Sequence, residues 1–101
     1  MTTYMQEIKF EINKRGRGGF FFEEGDKRLG EMETSISGGI LTVYHTEVLP
    51  EMEGKGLASK LVEAMVEHAR AHQLKIVPLC PYVSSVFKKN PEKYRDVWYK
   101  K

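Results

Sequence analysis

Two hydrophobic rhythms divide the chain. Up to residue 48 apolar positions return mostly every second residue; from residue 57 they return every third or fourth. In "EIKFEIN" (7–13) Ile8, Phe10 and Ile12 alternate with Lys9, Glu11 and Asn13, the pattern of a half-buried strand. "NKRGRGG" (13–19) reads as a glycine-rich turn and "FFFEE" (20–24) as a second strand. Gly25-Asp26 gives a hairpin-type turn signal. A third strand is expected over 28–37, with Met32, Thr34 and Ile36 on one face. "SGG" (37–39) is the next turn. "ILTVYHTEV" (40–48), rich in β-branched and aromatic residues, is the strongest strand signal. Four strands joined by short turns make an antiparallel meander.

Beyond Pro50 the period becomes helical. Leu57, Ala58, Leu61, Val62, Met65, Val66 and Ala69 form one apolar stripe over 57–72, with Lys60, Glu63, Glu67 and Arg70 off it. Glu67 and Arg70, three apart, are expected to pair. "LKIVPLC" (74–80) reads as a short strand bounded by Pro78. "PYVSSVFKKN" (81–90) reads as a shorter helix opened by Pro81 and stopped at Asn90-Pro91. The aromatics of "EKYRDVWYK" (92–100) are expected to dock on the sheet, with a short third helix as an alternative.

The predicted fold class is therefore α+β. An antiparallel meander leads into a β-α-β unit whose strands run parallel with a right-handed crossover, followed by the second helix. The 101 residues suit one domain, 1–101. The single cysteine, Cys80, excludes an internal disulfide framework and a cysteine-cluster zinc site, and points to a reducing, cytoplasmic location. A formal net charge of +2 makes no case for a nucleic-acid or membrane partner. No apolar run approaches a membrane span, and "MTTYMQEIKF" lacks the apolar core of a secretory signal.

The segment "EMEGKGLASKLV" (51–62) sets Gly54 and Gly56 around Lys55 where the long helix starts. Two readings fit. One is a glycine turn that breaks a strand into a helix. The other is a phosphate cradle: the first N–H groups of a helix lack partners, its dipole favours an anion, glycines permit close approach, and Lys55 adds a cation. The segment is neither a nucleotide P-loop nor a Gly-x-Gly-x-x-Gly motif, because Ser59 stands at the last position.

Taken with the meander before it and "LKIVPLCPYV" after it, "GKGLASKLVEAMVEHARAH" resembles the GNAT superfamily of acetyltransferases, in particular its minimal branch of about 100 residues. "YHTEV" (44–48) and "VPLCPYV" (77–83) carry the same resemblance, which spans residues 8 to 94. The superfamily signature [Gln/Arg]-x-x-Gly-x-[Gly/Ala] holds the pyrophosphate of coenzyme A, and Glu51 to Gly56 is the matching stretch here. The glycines match, whereas Glu51 and Glu53 depart from the pattern. The resemblance implies that strands 40–48 and 74–79 start side by side and splay, with the pantetheine arm in the gap. Acetyl-CoA is then the implied cosubstrate. Gly54, Lys55, Gly56, Leu57 and Ala58 are the implied phosphate-end contacts. Val48 and Leu49 are implied to offer backbone N–H groups. The N-terminal helices that shape the acceptor pocket in larger relatives are not apparent, so an acceptor site that is open, or completed by another chain, is expected.

The same resemblance places Cys80 near the thioester, at the end of the second splayed strand and before a helix N-terminus. A nucleophilic role and plain burial both fit such a cysteine. His45 is expected on the strand face shared with Leu41 and Val43, either as a proton acceptor or as a core histidine. Glu47, two residues on and on the same face, is a second candidate base or a solvated edge residue. Tyr82 and Tyr94 are candidates to protonate the leaving thiolate, or packing aromatics. His68 and His72 read as exposed helix positions, and no metal set emerges. The leading expectation is an acetyl-CoA-dependent acyltransferase acting on an amine of a small-molecule or protein acceptor. The alternative is a CoA or acyl-CoA-binding module with little transfer. A third reading, an adaptor using the basic C-terminal surface, is the least supported.

Overall fold

A computed structural model describes residues 8–100. The opening segment 1–7, read above for signal character and the first strand's start, and Lys101 lie outside the described residues. The strands are β1 (Lys9–Ile12), β2 (Arg17–Glu24), β3 (Lys27–Ser37), β4 (Ile40–Val48) and β5 (Lys75–Pro78). The helices are α1 (Leu57–His72), α2 (Pro81–Lys89) and α3 (Pro91–Tyr94). The five strands form one sheet in sequence order, antiparallel from β1 to β4 and parallel between β4 and β5. This is the expected α+β arrangement of meander and β-α-β unit.

The turn before β2 is shorter than the glycine content suggests. Asn13 closes it alone, its Oδ1 accepting from the N–H groups of Arg15 (2.8 Å) and Arg17 (3.0 Å). Gly18 and Gly19 belong to the strand. A Cβ on Gly19 would lie 1.8 Å from the Met32 carbonyl oxygen, so only glycine lets these backbones approach.

One face of the sheet packs against α1 in a core containing Phe20, Met32, Leu41, Val43, Leu61, Met65, Ala69 and Ile76. Every residue of the predicted α1 stripe is buried except Ala58, which is half-buried. Gly30 of β3 seats the start of this helix. A Cβ there would meet the Leu57 side chain at 2.7 Å, so its absence lets Leu57 lie on the sheet. At the other end Gln73 adopts φ 57 and Leu74 N–H donates to the Ala69 carbonyl (2.8 Å), closing the helix.

The tail docks as expected and supplies the short helix α3. Trp98 bridges Ile76 in parallel, Phe87 stacks on Tyr94 at 4.5 Å, and Trp98 meets Phe87 edge-on. The expected Glu67–Arg70 pair is replaced by a tertiary one. Arg70 donates to both Asp96 carboxylate oxygens (2.8 and 3.2 Å) and to the Lys93 carbonyl (2.9 Å). This bidentate geometry satisfies the guanidinium better than a single neighbour on its own helix. It also holds the Asp96 carboxyl below the usual carboxylate range.

Candidate active site

The parallel pairing of β4 and β5 is short. It runs from Ile40↔Lys75 to Val43↔Pro78 and stops. Pro78 has no N–H to continue the ladder. The N–H groups of Leu79 and Cys80 then both donate to the Val43 carbonyl (3.0 and 2.9 Å), and Pro81 opens α2. Meanwhile β4 continues through Tyr44 to Val48, paired to β3 but without β5. The two strands therefore splay, and one edge of β4 is left bare.

A bulge decides which side chains border that gap. Thr34 pairs with Val43 but Glu33 pairs with His45, so Tyr44 is the extra residue. The Tyr44 hydroxyl lies 2.8 Å from Ser35 Oγ and anchors it. Beyond the bulge the faces exchange. Thr46, paired with Met32, and Val48, paired with Gly30, take the core side. His45 and Glu47 are turned to solvent on the opposite face, with side chains 60% and 65% exposed and 3.8 Å between Nε2 and Oε1. The expectation that His45 shares the face of Leu41 and Val43 fails for this reason, and the core-histidine reading fails with it.

Cys80 is 3% exposed and is the N-cap residue of α2, whose first hydrogen bond runs from Ser84 N–H to the Cys80 carbonyl (2.9 Å). Its sulfur makes no capping bond. It lies 3.4 Å from Thr46 Oγ1 instead. Thr46 was not among the expected site residues. The unbroken alternation Leu41, Val43, His45 pointed to its neighbour, and only the Tyr44 bulge corrects the phase. Leu79, 60% exposed, and Tyr82, 39% exposed, flank Cys80. Burial pushes the Tyr82 phenol up, and nearby Tyr94 and Cys80 add to the shift, so it stays protonated at neutral pH. Tyr94 is buried in its stack on Phe87.

The bare edge also carries backbone donors. Leu49 N–H donates to the Leu29 carbonyl (3.0 Å), which corrects the expectation that Leu49 offers a free N–H. Alternation along the antiparallel pair then turns the N–H groups of Val48 and Thr46 away from β3, toward the gap.

After a 3-10 turn at Pro50–Met52 the chain reaches the glycines. Gly54 and Gly56 have φ 80 and 79, a region costly for any side chain, and open space lies where a Cβ would stand. Gly56 is the N-cap of α1, with no side-chain cap and no acidic residue in the first turn. Among the described residues, the N–H groups of Gly54, Gly56, Leu57, Ala58 and Ser59 have no hydrogen-bond acceptor. Lys55 is exposed beside them. Glu51, the acid that departs from the signature, is held by Lys27 Nζ at 2.8 Å. The loop thus fits an anionic group: five open donors, a cation, left-handed glycines and a long helix dipole.

The uncovered face of the sheet carries charges of both signs, with Glu31 paired to Arg28 (3.2 Å) and Glu33 to Arg17 (3.7 Å). A cavity of about 230 Å³ lies between Glu11, Glu31 and Glu33, with Phe21 in its lining and Arg28 3.9 Å over the Phe21 ring. His68 is not simply exposed. Its ring lies 4.3 Å from Phe10 and 5.5 Å from Phe20, and burial, then the adjacent His72, lowers its pKa. No group of three or more metal-ligating side chains occurs among the described residues.

Comparison with known proteins agrees with this geometry. Residues 19–97 match the family model described as GCN5-related N-acetyl-transferase. The fold is similar to the solution structure of a "GCN5-like putative N-acetyltransferase" from Staphylococcus aureus. That match has 26% identity, a TM-score of 0.68, and covers 96% of this chain and 93% of the other. It is also similar to the crystal structure of the ribosomal-protein-S18-alanine N-acetyltransferase from Escherichia coli. There the TM-score is 0.59 at 16% identity, over 66% of this chain and 43% of the other, a likeness of fold. With a splayed β4–β5 pair, a glycine loop at the N-terminus of α1 and a family match over most of its length, the chain belongs to the GCN5-related N-acetyltransferase family.

Proposed function

We propose that the protein transfers the acetyl group of acetyl-CoA to an amine, with acetyl-CoA lying along the bare edge of β4. The observation that carries this reading is the edge itself. It has open N–H donors at Thr46 and Val48, the anion-fitting loop at one end and the Cys80 sulfur at the other. Gly54, Lys55, Gly56, Leu57 and Ala58 would hold the pyrophosphate. Val48 N–H would pair with the pantetheine or the thioester carbonyl. Acetyl-CoA supplies an acetyl group activated as a thioester.

Cys80 is placed by this reading at the reactive end. In a relay, a bond forms from Sγ to the acetyl carbon as the bond from that carbon to the CoA sulfur breaks; the thiol proton leaves Sγ, and Tyr82 can pass it on to the departing sulfur. The acceptor nitrogen then bonds the acetyl carbon as the bond from that carbon to Sγ breaks, and a proton from the nitrogen restores the Cys80 thiol. On the open face Glu31 and Glu33 are paired with Arg28 and Arg17, and Glu47, beside His45, is the carboxylate on β4 that favours a cationic amine. His45 and Glu47 are the groups on that face suited to take the proton the amine must lose. A lone free cysteine suits a reducing compartment, and we assign the protein to the cytoplasm on that ground. Among the described residues no helix is long and apolar enough to cross a membrane.

The test joins calorimetric titration with CoA to mass spectrometry after incubation with acetyl-CoA and a panel of amines. Gly54→Val should weaken CoA binding at least tenfold, about 1.4 kcal/mol. Lys55→Ala should weaken it less, because salt screens an exposed cation. An acetyl mass increment on Cys80 supports the relay. Acetylated amine without it supports direct attack. No CoA binding by the folded wild type refutes the assignment.

A further inference from the structure

We propose that Thr46 is a positioning residue for Cys80. Its hydroxyl holds the sulfur at the bare edge of β4 and donates a hydrogen bond to it when it carries charge. The proposal rests on the reading that acetyl transfer takes place at that edge. Thr46 Oγ1 and Cys80 Sγ are 3.4 Å apart. Among the described residues, Thr46 Oγ1 is the polar atom hydrogen-bonded to this sulfur. The N–H of Cys80 is committed to the Val43 carbonyl, and the sulfur makes no cap bond to α2.

A hydroxyl is suited to this place because it has one donor and two acceptor sites. It can accept from the thiol S–H and, by rotating, donate to the thiolate. The second state gains more, since a hydrogen bond to an ion is roughly twice as strong as a neutral one. A residue only 3% exposed has little water to do the same. The arrangement requires the Tyr44 bulge. With regular alternation His45 would fall on the core side and Thr46 would face solvent.

The test compares the 101-residue wild type with Thr46→Val, which keeps the shape and deletes the hydroxyl, and Thr46→Ser, which keeps the hydroxyl. Equal thermal melting establishes a common fold. Iodoacetamide should alkylate Cys80 about tenfold more slowly in Thr46→Val, and within about twofold of wild type in Thr46→Ser. With one cysteine in the chain, the Raman S–H band reports the same contact without any reagent. It should lie lower in wild type and Thr46→Ser than in Thr46→Val. Equal alkylation rates in wild type and Thr46→Val overturn the proposal, as do equal S–H bands. Should Thr46→Val fail to fold, or the wild-type thiol resist alkylation, the wild-type Raman band decides. At the frequency of an unbonded thiol it overturns the proposal; shifted lower it supports it. The underlying reading is tested separately, by protection of wild-type Cys80 with CoA. Absent protection with a Thr46 effect sinks the site reading alone. Protection without a Thr46 effect sinks the positioning role alone.

Discussion

Thr34 is paired with Val43, and Glu33 with His45, so a single extra residue, Tyr44, separates a core valine from a solvent-facing histidine. His45 therefore carries little packing. His45→Ala should change stability by less than about 0.5 kcal/mol, as at other surface sites. Urea denaturation checks this; a loss above about 2 kcal/mol would mean that the ring is buried after all.

Thr34 is fully buried, and among the described residues its Oγ1 has no hydrogen-bond partner. Replacing it with valine keeps the shape and removes an unsatisfied polar atom. Thr34→Val should raise stability by about 1 kcal/mol. A loss of similar size in denaturant titration would reveal a partner for the hydroxyl.

His68, against Phe10 and Phe20, has a pKa lowered by burial and then by His72. The folded state thus binds its proton less well than the unfolded chain does. The stability it contributes is present above the unfolded value of about 6.5 and is lost as pH falls through that value toward the folded one. Thermal melts between pH 7.5 and 5 should show this slope, and His68→Phe should flatten it. An unchanged slope in His68→Phe would assign the effect to other groups.

Gln73 is the one non-glycine residue with positive φ among those described, and it closes α1. Glycine adopts this conformation without strain, so Gln73→Gly should stabilise by about 1 kcal/mol. Destabilisation in the same melt would mean that the glutamine side chain makes a contact worth more than the strain.

Legibility followed the strength of local signals. The bounds of β4 and α1 could be read because β-branched enrichment and a sixteen-residue helical stripe leave little choice of period. Cys80 at a helix start was legible through Pro81, and the loop through two glycines in seven residues of turn chemistry. Three features were not legible, each for a tertiary reason. The Tyr44 bulge depends on pairing with β3 and leaves no mark where the residues on both faces are polar. Gly18 and Gly19 look like a turn, and only the approach of neighbouring strands shows why they are glycines. Arg70 finds Asp96 twenty-six positions away, out of reach of any local rule.

The central claim is that acetyl-CoA lies along the bare edge of β4, between the glycine loop and Cys80. Amide chemical-shift mapping during titration with CoA tests it most directly. Shifts are expected at Thr46, Val48, Gly54, Gly56, Leu57, Ala58 and Cys80, with Lys9 to Ile12 on the far strand unmoved. Shifts confined to other surfaces, or none at saturating CoA, would contradict it.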